Sequence, residues 1–359
     1  MKYGVARGVG VVADAGAVGV VSLSRLGLDV PAGLFDGSSL NPFMAAGPDV
    51  WAAVAEQLGG LDAAELARAV VPAPALMLPF EVADYVDFYA SIHHATRVGR
   101  RFRPDSPLMP NYRHLPVGYH GRAGTVVVSG TPVRRPWGQR GEGDFGPSER
   151  LDYELEVGFV VGVGSEQGQP VGVAEAASHV FGAVLLNDWS ARDIQSWEYQ
   201  PLGPFLGKSF ATSVSAWVTP LADLLGTRVP GPVQDPEPLP YLQVGEPWAL
   251  DVGLSVEVDG QVLGAANVTD LYWTLPQLVA HLTVNGASLR TGDLLGTGTV
   301  SGPEPGQEGC LLETGSDRFL EDGSEVVLRS AGDVLAEVRG VVLPALSPGP
   351  AAGGRPGSG

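Results

Sequence analysis

Apolar and polar positions alternate with a period of two along most of this chain, and only a few segments break to helical spacing. Residues 4–22 carry valine, alanine and glycine in a strand-like alternation that predicts a β-hairpin turning near ADAGA. LNPFMAAGPDVWAAVAEQLGG then shifts to a helix, with Trp51, Val54 and Leu58 on one face and Gly59-Gly60 as its stop. LDAAELARAV predicts another short helix, and VPAPALMLP closes this N-terminal part near residue 78. Beyond it, GTVVVSGTPV, LEVGFVVGVG, VFGAVLLND, AWVTPL, ALDVGLSVEVDGQVLG, DLLGTGTV and GSEVVLRS read as short strands between Gly, Pro and Asp turns. VEVDGQVLG is a hairpin with Asp-Gly at its bend. One clear helix, TLPQLVAHLTVNG, interrupts the strands; Thr274 opens it, Pro276 lies in its first turn and Asn285-Gly286 end it. The tail SPGPAAGGRPGSG lacks the apolar content of a packed segment and is expected to be disordered. The expected architecture is mainly β with some helix, an α+β chain divided into an N-terminal module at 1–78, a larger unit at 79–347 and the tail at 348–359.

Composition narrows the choice of partners. Among 359 residues, Gly 50 and Pro 30 favour many short strands joined by turns. Forty acids against 22 bases give a net charge of −18, which argues against nucleic acid or an anionic membrane. An anionic small molecule stays admissible if its site carries local cations. The single Cys310 excludes an internal disulfide and a cysteine-rich zinc site, and it fits a reducing cytoplasm. Arg7 and Asp14 interrupt the apolar start, so a signal peptide is not expected, and no apolar run is long enough to span a bilayer.

The candidate chemistry begins with acids. In LDYELEVGF, Leu151, Tyr153, Leu155, Val157 and Phe159 point one way, with Asp152, Glu154 and Glu156 opposite. On a strand, Glu154 and Glu156 therefore project side by side. Taken alone, the pair fits a solvated acidic face. Asp188, at the end of the apolar run FGAVLLN, and Asp87, in YVDFYASIHH, change the weighing. Each could equally be a turn or helix-cap aspartate. If all four converge, each pair of charges about 4 Å apart costs on the order of 4 kcal/mol at an effective dielectric of 20, so a bound cation is required. Oxygen ligands favour Ca²⁺, Mg²⁺ or Mn²⁺ over zinc, and the number of carboxylates tilts the choice to Ca²⁺. NDWSARDIQSWEYQPLGPFLGKSF, which contains Asp188, mixes acids, cations and aromatics in a way that neither a solvent loop nor a core segment needs.

DFYASIHHATRVGRRFR, LPVGYHGRAGTVVVSGTPVRRPWGQ, LDYELEVGFVVG, NDWSARDIQSWEYQPLGPFLGKSF, QDPEPLPYL and GDLLGTGTVSGPE, in this order from about 79 to 347, resemble the fumarylacetoacetase (fumarylacetoacetate hydrolase) family. The N-terminal part matches only loosely, through KYGVA and LNPFMAAG, and is shorter. The resemblance implies a small SH3-like β-barrel followed by a mixed β-roll catalytic domain, usually as a homodimer. It also implies hydrolysis of a carbon–carbon bond in 4-fumarylacetoacetate, a dicarboxylate diketone, to fumarate and acetoacetate.

The same resemblance places metal ligands at Asp87, Glu154, Glu156 and Asp188, with a second cation near Lys208 and Thr212. It makes His94 the general base, oriented by Glu313, and gives Arg192, Gln195 and Lys208 to the oxyanion. Substrate contacts fall on Tyr89, Arg103, Tyr119, Gln195, Tyr199 and Thr299; an arginine can hold a carboxylate bidentately. A lone histidine is more often structural, and His93 is an alternative to His94. Two other functions are weighed: a related hydrolase acting on acylpyruvates, and an inactive calcium-stabilised binding protein. The second would need the acids without His94, Glu313, Arg192 and Lys208, all of which are present.

Overall fold

The apolar run VFGAVLLND forms the strand Val180–Asp188, buried along its whole length. A strand without a polar face needs cover on both sides of its sheet. It pairs antiparallel with Leu155–Val161, Leu155 opposite Asn187 and Glu156 opposite Leu186. Leu294–Gly296 pairs antiparallel with Leu155–Val161, and Tyr85–Phe88 lies parallel to Leu294–Gly296 with Asp87 opposite Gly296. Gly118–His120 closes that edge with Tyr119 opposite Asp87. Thr212–Val214 and Trp217–Pro220 pair with different parts of the other side of Val180–Asp188. These strands belong to an 11-stranded sheet; a five-stranded sheet is built on Gly253–Val258, Gln261–Asn267 and Glu325–Ser330. This computed structural model describes residues 1–347, so the tail expected at 348–359 lies outside the described residues.

The two faces of the large sheet belong to two cores. Leu155, Val157, Phe159 and Val161 face one, with Trp273 and Leu278. Val160, Phe181, Val184 and Leu186 face the other, which the N-terminal segment fills with Val5, Phe43 and Leu58. The alternation read from LDYELEVGF is therefore real, but its acidic face is not solvated: Asp152, Glu154 and Glu156 are all buried.

The structure is mixed α+β and mainly sheet, and the N-terminal strands show no closed barrel among the described residues. Lys2–Ala6 pairs with Gly10–Asp14 on one side and with Trp217–Pro220 on the other, Tyr3 opposite Val218. The expected SH3-like barrel is not confirmed: the first strands form a meander that joins the large sheet where Tyr3–Gly4 pairs with Trp217–Val218. The single hairpin expected over 4–22 is two: a first turn at residues 7–9 precedes the one near ADAGA. The single helix expected from LNPFMAAGPDVWAAVAEQLGG is also two, Asn41–Ala45 and Pro48–Gly60. Gly47 divides them with φ 89°, a left-handed conformation that L side chains resist. Leu275–Thr283 forms as expected, with a Thr274/Gln277 capping box. Among the helices that went unread in the strand-rich region, the two longest are Ile92–Phe102 and Arg192–Glu198. Arg192–Glu198 is short and mostly polar, and Ile92–Phe102 carries only a narrow apolar stripe, Ile92, Ala95 and Val98, among histidines and arginines.

Phe43 is the hinge of the N-terminal packing. Its ring meets Tyr3 at 5.3 Å, Phe35 at 5.4 Å and Phe181 of the strand Val180–Asp188 at 5.4 Å, each edge to face. Phe43→Ala should destabilise the protein by roughly 3–5 kcal/mol. Equilibrium urea unfolding measures it; a loss within error would mean that the aromatic cluster does not secure this segment to the sheet.

Candidate active site

Strand register brings the acids together. Asp87 ends up beside Gly296, Glu156 lies one strand further across the sheet, and Asp188 stands at the end of the next. Glu154 precedes its strand, held by its own N–H to Asn187 Oδ1 at 3.1 Å and by its carbonyl, which accepts from Asp188 N. Oxygens of Asp87, Glu154, Glu156 and Asp188 all lie within 4.8 Å of one another, and all four residues are buried. Gly296 makes room: a Cβ there would stand 3.0 Å from both Asp87 Oδ1 and Glu156 Oε2.

Cations offset only part of this charge. Lys208 Nζ donates to Asp188 Oδ2 and, at 2.8 Å, to Glu154 Oε2. Arg192 Nη1 reaches Glu154 Oε1 at 2.6 Å. Glu154 is consequently held well below the usual carboxylate range: burial opposes this, but Lys208, Arg192 and His94 outweigh it. Lys208 is raised although burial pulls it down, because Asp188 and Glu154 flank it. Asp87 and Glu156 are different. Burial first, and then their acidic neighbours, push both well above the ordinary range. One oxygen of each, Asp87 Oδ1 and Glu156 Oε1, is buried with no hydrogen-bond partner. Such an oxygen costs about 1–3 kcal/mol or more if it stays unsatisfied. A hard divalent cation would satisfy both, and an all-carboxylate donor set fits one. Thr212 Oγ1 and Tyr119 OH, each at 3.3 Å, donate to Asp188, so Lys208 and Thr212 both act here as donors to one carboxylate.

The histidine comes from a helix the sequence did not reveal. Ser91 caps Ile92–Phe102 by accepting from His94 N at 3.2 Å. His94 Nδ1 lies 2.7 Å from Glu313 Oε1, and the ring packs edge to face on Tyr89 at 5.1 Å. Glu313 sits in the short turn Leu311–Thr314 and also accepts from Ser301 Oγ at 2.7 Å and Arg97 Nη1 at 3.2 Å. Against its burial, His94, Ser301 and Arg97 hold it down at about 2. An ionised Glu313 requires a donor at Nδ1, so the neutral ring carries its lone pair on Nε2.

Both centres open on one cavity of about 730 Å³, lined by His94, Asp87 and Glu154. Tyr89, Arg103, Tyr119, Arg192, Gln195, Tyr199, Lys208 and Thr299 line it as well. Of the residues expected in the site, Glu156, Asp188, Thr212 and Glu313 stand behind this wall, with Asp188 and Thr212 bordering a smaller cavity of about 110 Å³. Three of the lining residues carry a buried polar atom without a hydrogen-bond partner: Arg192 Nη2, Arg103 Nε and Thr299 Oγ1. His93 does not line it.

Residues 84–342 match the family described as fumarylacetoacetate (FAA) hydrolase, C-terminal. The chain is 45% identical to the fumarylacetoacetase of Rattus norvegicus over 358 residues, covering 88% of this chain and 85% of that one. It is 46% identical to that of Homo sapiens, with the same coverage. The chain belongs to the fumarylacetoacetate hydrolase family. Solved structures with the same fold include the fumarylacetoacetate hydrolase of psychrophilic Exiguobacterium antarcticum, at TM-score 0.63 and 16% identity, covering 96% of this chain and 99% of that one. The maleylpyruvate hydrolase of Sphingobium aligns at TM-score 0.59 and 16% identity, over 96% and 100% of the two chains.

Three contributors to this hydrolase site were missed in the sequence. Arg97 follows His94 by one helical turn and could have been found had the helix been read. Ser301 and the Gly298 N–H, which donates to Glu156 Oε2 at 3.1 Å, come from the loop after Leu294–Gly296 and left no signal.

Two outcomes follow from this geometry. Glu313→Gln should remove a pH-dependent part of the stability. A depressed carboxylate stabilises the fold above its unfolded value of 4.5 and loses that contribution as pH falls towards about 2. Unfolding free energies of wild type and variant should therefore differ at pH 6, by on the order of 3 kcal/mol, and converge below pH 3; parallel curves would contradict the assigned pairing. Gly296→Ala should weaken binding of a divalent cation at least about tenfold through crowding of the two oxygens, measured by calorimetric titration of the metal alone. Unchanged affinity would place the ion elsewhere.

Proposed function

We propose that this chain hydrolyses 4-fumarylacetoacetate to fumarate and acetoacetate. The observation that carries the reading is a histidine–carboxylate pair and a four-acid cluster that reach one cavity through His94, Asp87 and Glu154, in a chain 45% identical to fumarylacetoacetases. Glu313 holds His94 with Nε2 free to take a proton from water. The hydroxide attacks the ketone carbon next to the fumaryl unit. Arg192, Gln195 and Lys208 supply donors for the oxyanion; the unpartnered Nη2 of Arg192 suits this, and Gln195 Oε1 is already occupied by Arg192 Nη1, which turns its amide N–H groups outward. Collapse of the oxyanion breaks the carbon–carbon bond, and its electron pair becomes the enolate of acetoacetate. His94, now protonated, returns its proton to that carbon.

A divalent ion held by Asp87, Glu154, Glu156 and Asp188 would supply Lewis-acid polarisation to a 1,3-dicarbonyl group. Four carboxylates favour Ca²⁺, with Mg²⁺ the alternative. A second cation would share Asp188 with Lys208 and Thr212, where the Lys208 ammonium already provides positive charge. Arg103 suits one substrate carboxylate, with Tyr89, Tyr119, Tyr199 and Thr299 completing the walls. The resemblance to the family supports a cytoplasmic homodimer with residues 79–347 as the catalytic unit. No helix among the described residues is long and apolar enough to cross a membrane.

Loss of the substrate's ultraviolet enone absorbance tests the proposal. Turnover should require a divalent ion and disappear with chelator. His94→Ala should reduce it by about 10² to 10⁴ while leaving metal affinity unchanged. Turnover of acylpyruvates but not of fumarylacetoacetate would replace the substrate, and full activity of the His94 variant would replace the base.

A further inference from the structure

Asp152 is fully buried, and the reaction outlined above gives it no task. It does not line the cavity. Yet its carboxylate is saturated by donors from three separate segments. Oδ1 accepts from Tyr153 N at 2.8 Å and Leu311 N at 2.8 Å. Oδ2 accepts from Leu312 N at 3.0 Å and Arg192 Nε at 2.8 Å. Four donors fill the capacity of an ionised carboxylate.

Those donors belong to the two working parts of the site. Leu311 and Leu312 begin the turn that carries Glu313 to His94. Arg192 is the arginine that keeps one buried nitrogen, Nη2, without a partner beside the cavity. Arg192 does not need Asp152 for charge, since Glu154 Oε1 already lies 2.6 Å from its Nη1. What the second acid adds is direction. A guanidinium gripped at Nε and at Nη1 by different carboxylates cannot rotate, and its remaining nitrogen is fixed in space. The same carboxylate fixes two peptide N–H groups of the turn, so a shift at Asp152 moves the oxyanion donor and the His94 partner together.

We infer that Asp152 is a positioning residue for the hydrolysis, a single buried anchor that sets Arg192 and the Glu313 turn in register with each other. The inference rests on the roles proposed above for Arg192 and Glu313.

The test compares Asp152→Asn and Asp152→Glu with wild type in the full, metal-loaded chain, alone and combined with Arg192→Ala. Steady-state kinetics, thermal melting and the downfield proton resonance of His94 Nδ1–H are recorded for each. Outer-shell substitutions of this kind cost about 10- to 100-fold, and here the loss should fall on kcat with KM changed less than about threefold. The His94 proton should shift in both Asp152 variants and stay in place in Arg192→Ala. In the Arg192→Ala background, Asp152→Asn should cost markedly less than in wild type, because part of its effect passes through that arginine. Asp152→Glu retains the charge and provides the same measurements if the Asn variant does not fold. Wild-type kcat with an unmoved resonance in both variants would overturn the inference, as would full multiplicativity with Arg192→Ala. If wild type does not cleave fumarylacetoacetate, the proposed function fails on that result alone. The resonance then decides for Asp152: unmoved in both variants, it ends the inference; shifted, it upholds the anchor.

Discussion

The carboxylates of Asp87, Glu154, Glu156 and Asp188 are held closer together than their charges would choose, and the surrounding structure is arranged around that repulsion. Three strands of one sheet deliver them, with Leu294–Gly296 between Tyr85–Phe88 and Leu155–Val161, and the register of those strands permits no other placement without turning apolar faces out of the two cores. Lys208 and Arg192 neutralise Glu154 and one side of Asp188. Asp87 and Glu156 keep unsatisfied oxygens on the opposite side. The imbalance is directional: one half of the cluster is paired within the protein, and the other half is left for a cation from solution.

A second acid pair works by the opposite logic. Glu313 and Asp152 are each surrounded by donors, so they stay charged and fixed instead of seeking a ligand. Glu313 transmits its position to His94, and Asp152 transmits its own to Arg192. Among the buried acids of this site, Asp87 and Glu156 each keep an unpartnered oxygen, whereas Glu154, Asp188, Glu313 and Asp152 are met by protein donors.

The N-terminal segment supports the site without touching the cavity. Its Phe43 packs on Phe181, and Phe181 belongs to the strand that ends in Asp188. The core beneath the acid cluster is thus filled from the first 80 residues of the chain, and it includes Tyr85 and Leu294 from the strands that carry Asp87 and Gly296. Close packing on this face keeps the acidic ends of the strands from spreading apart under their own charge.

Much was legible in the sequence because it is local. The alternation around Glu154 and Glu156, the Asp-Gly bend, the capping of Leu275–Thr283 and the density of motifs between 79 and 347 all depend on neighbours within a few residues. Helix Arg192–Glu198 escaped because it is short and polar, and Ile92–Phe102 because its narrow apolar stripe is outnumbered by histidines and arginines. Only the tertiary structure decided that the acidic face is buried, that the first strands join the large sheet, and that Arg97, Ser301 and Asp152 complete the site. Those facts depend on which strand lies beside which. A sequence states the period of a strand but not its neighbour, and charge, cover and hydrogen-bond partners across a sheet are properties of the neighbour.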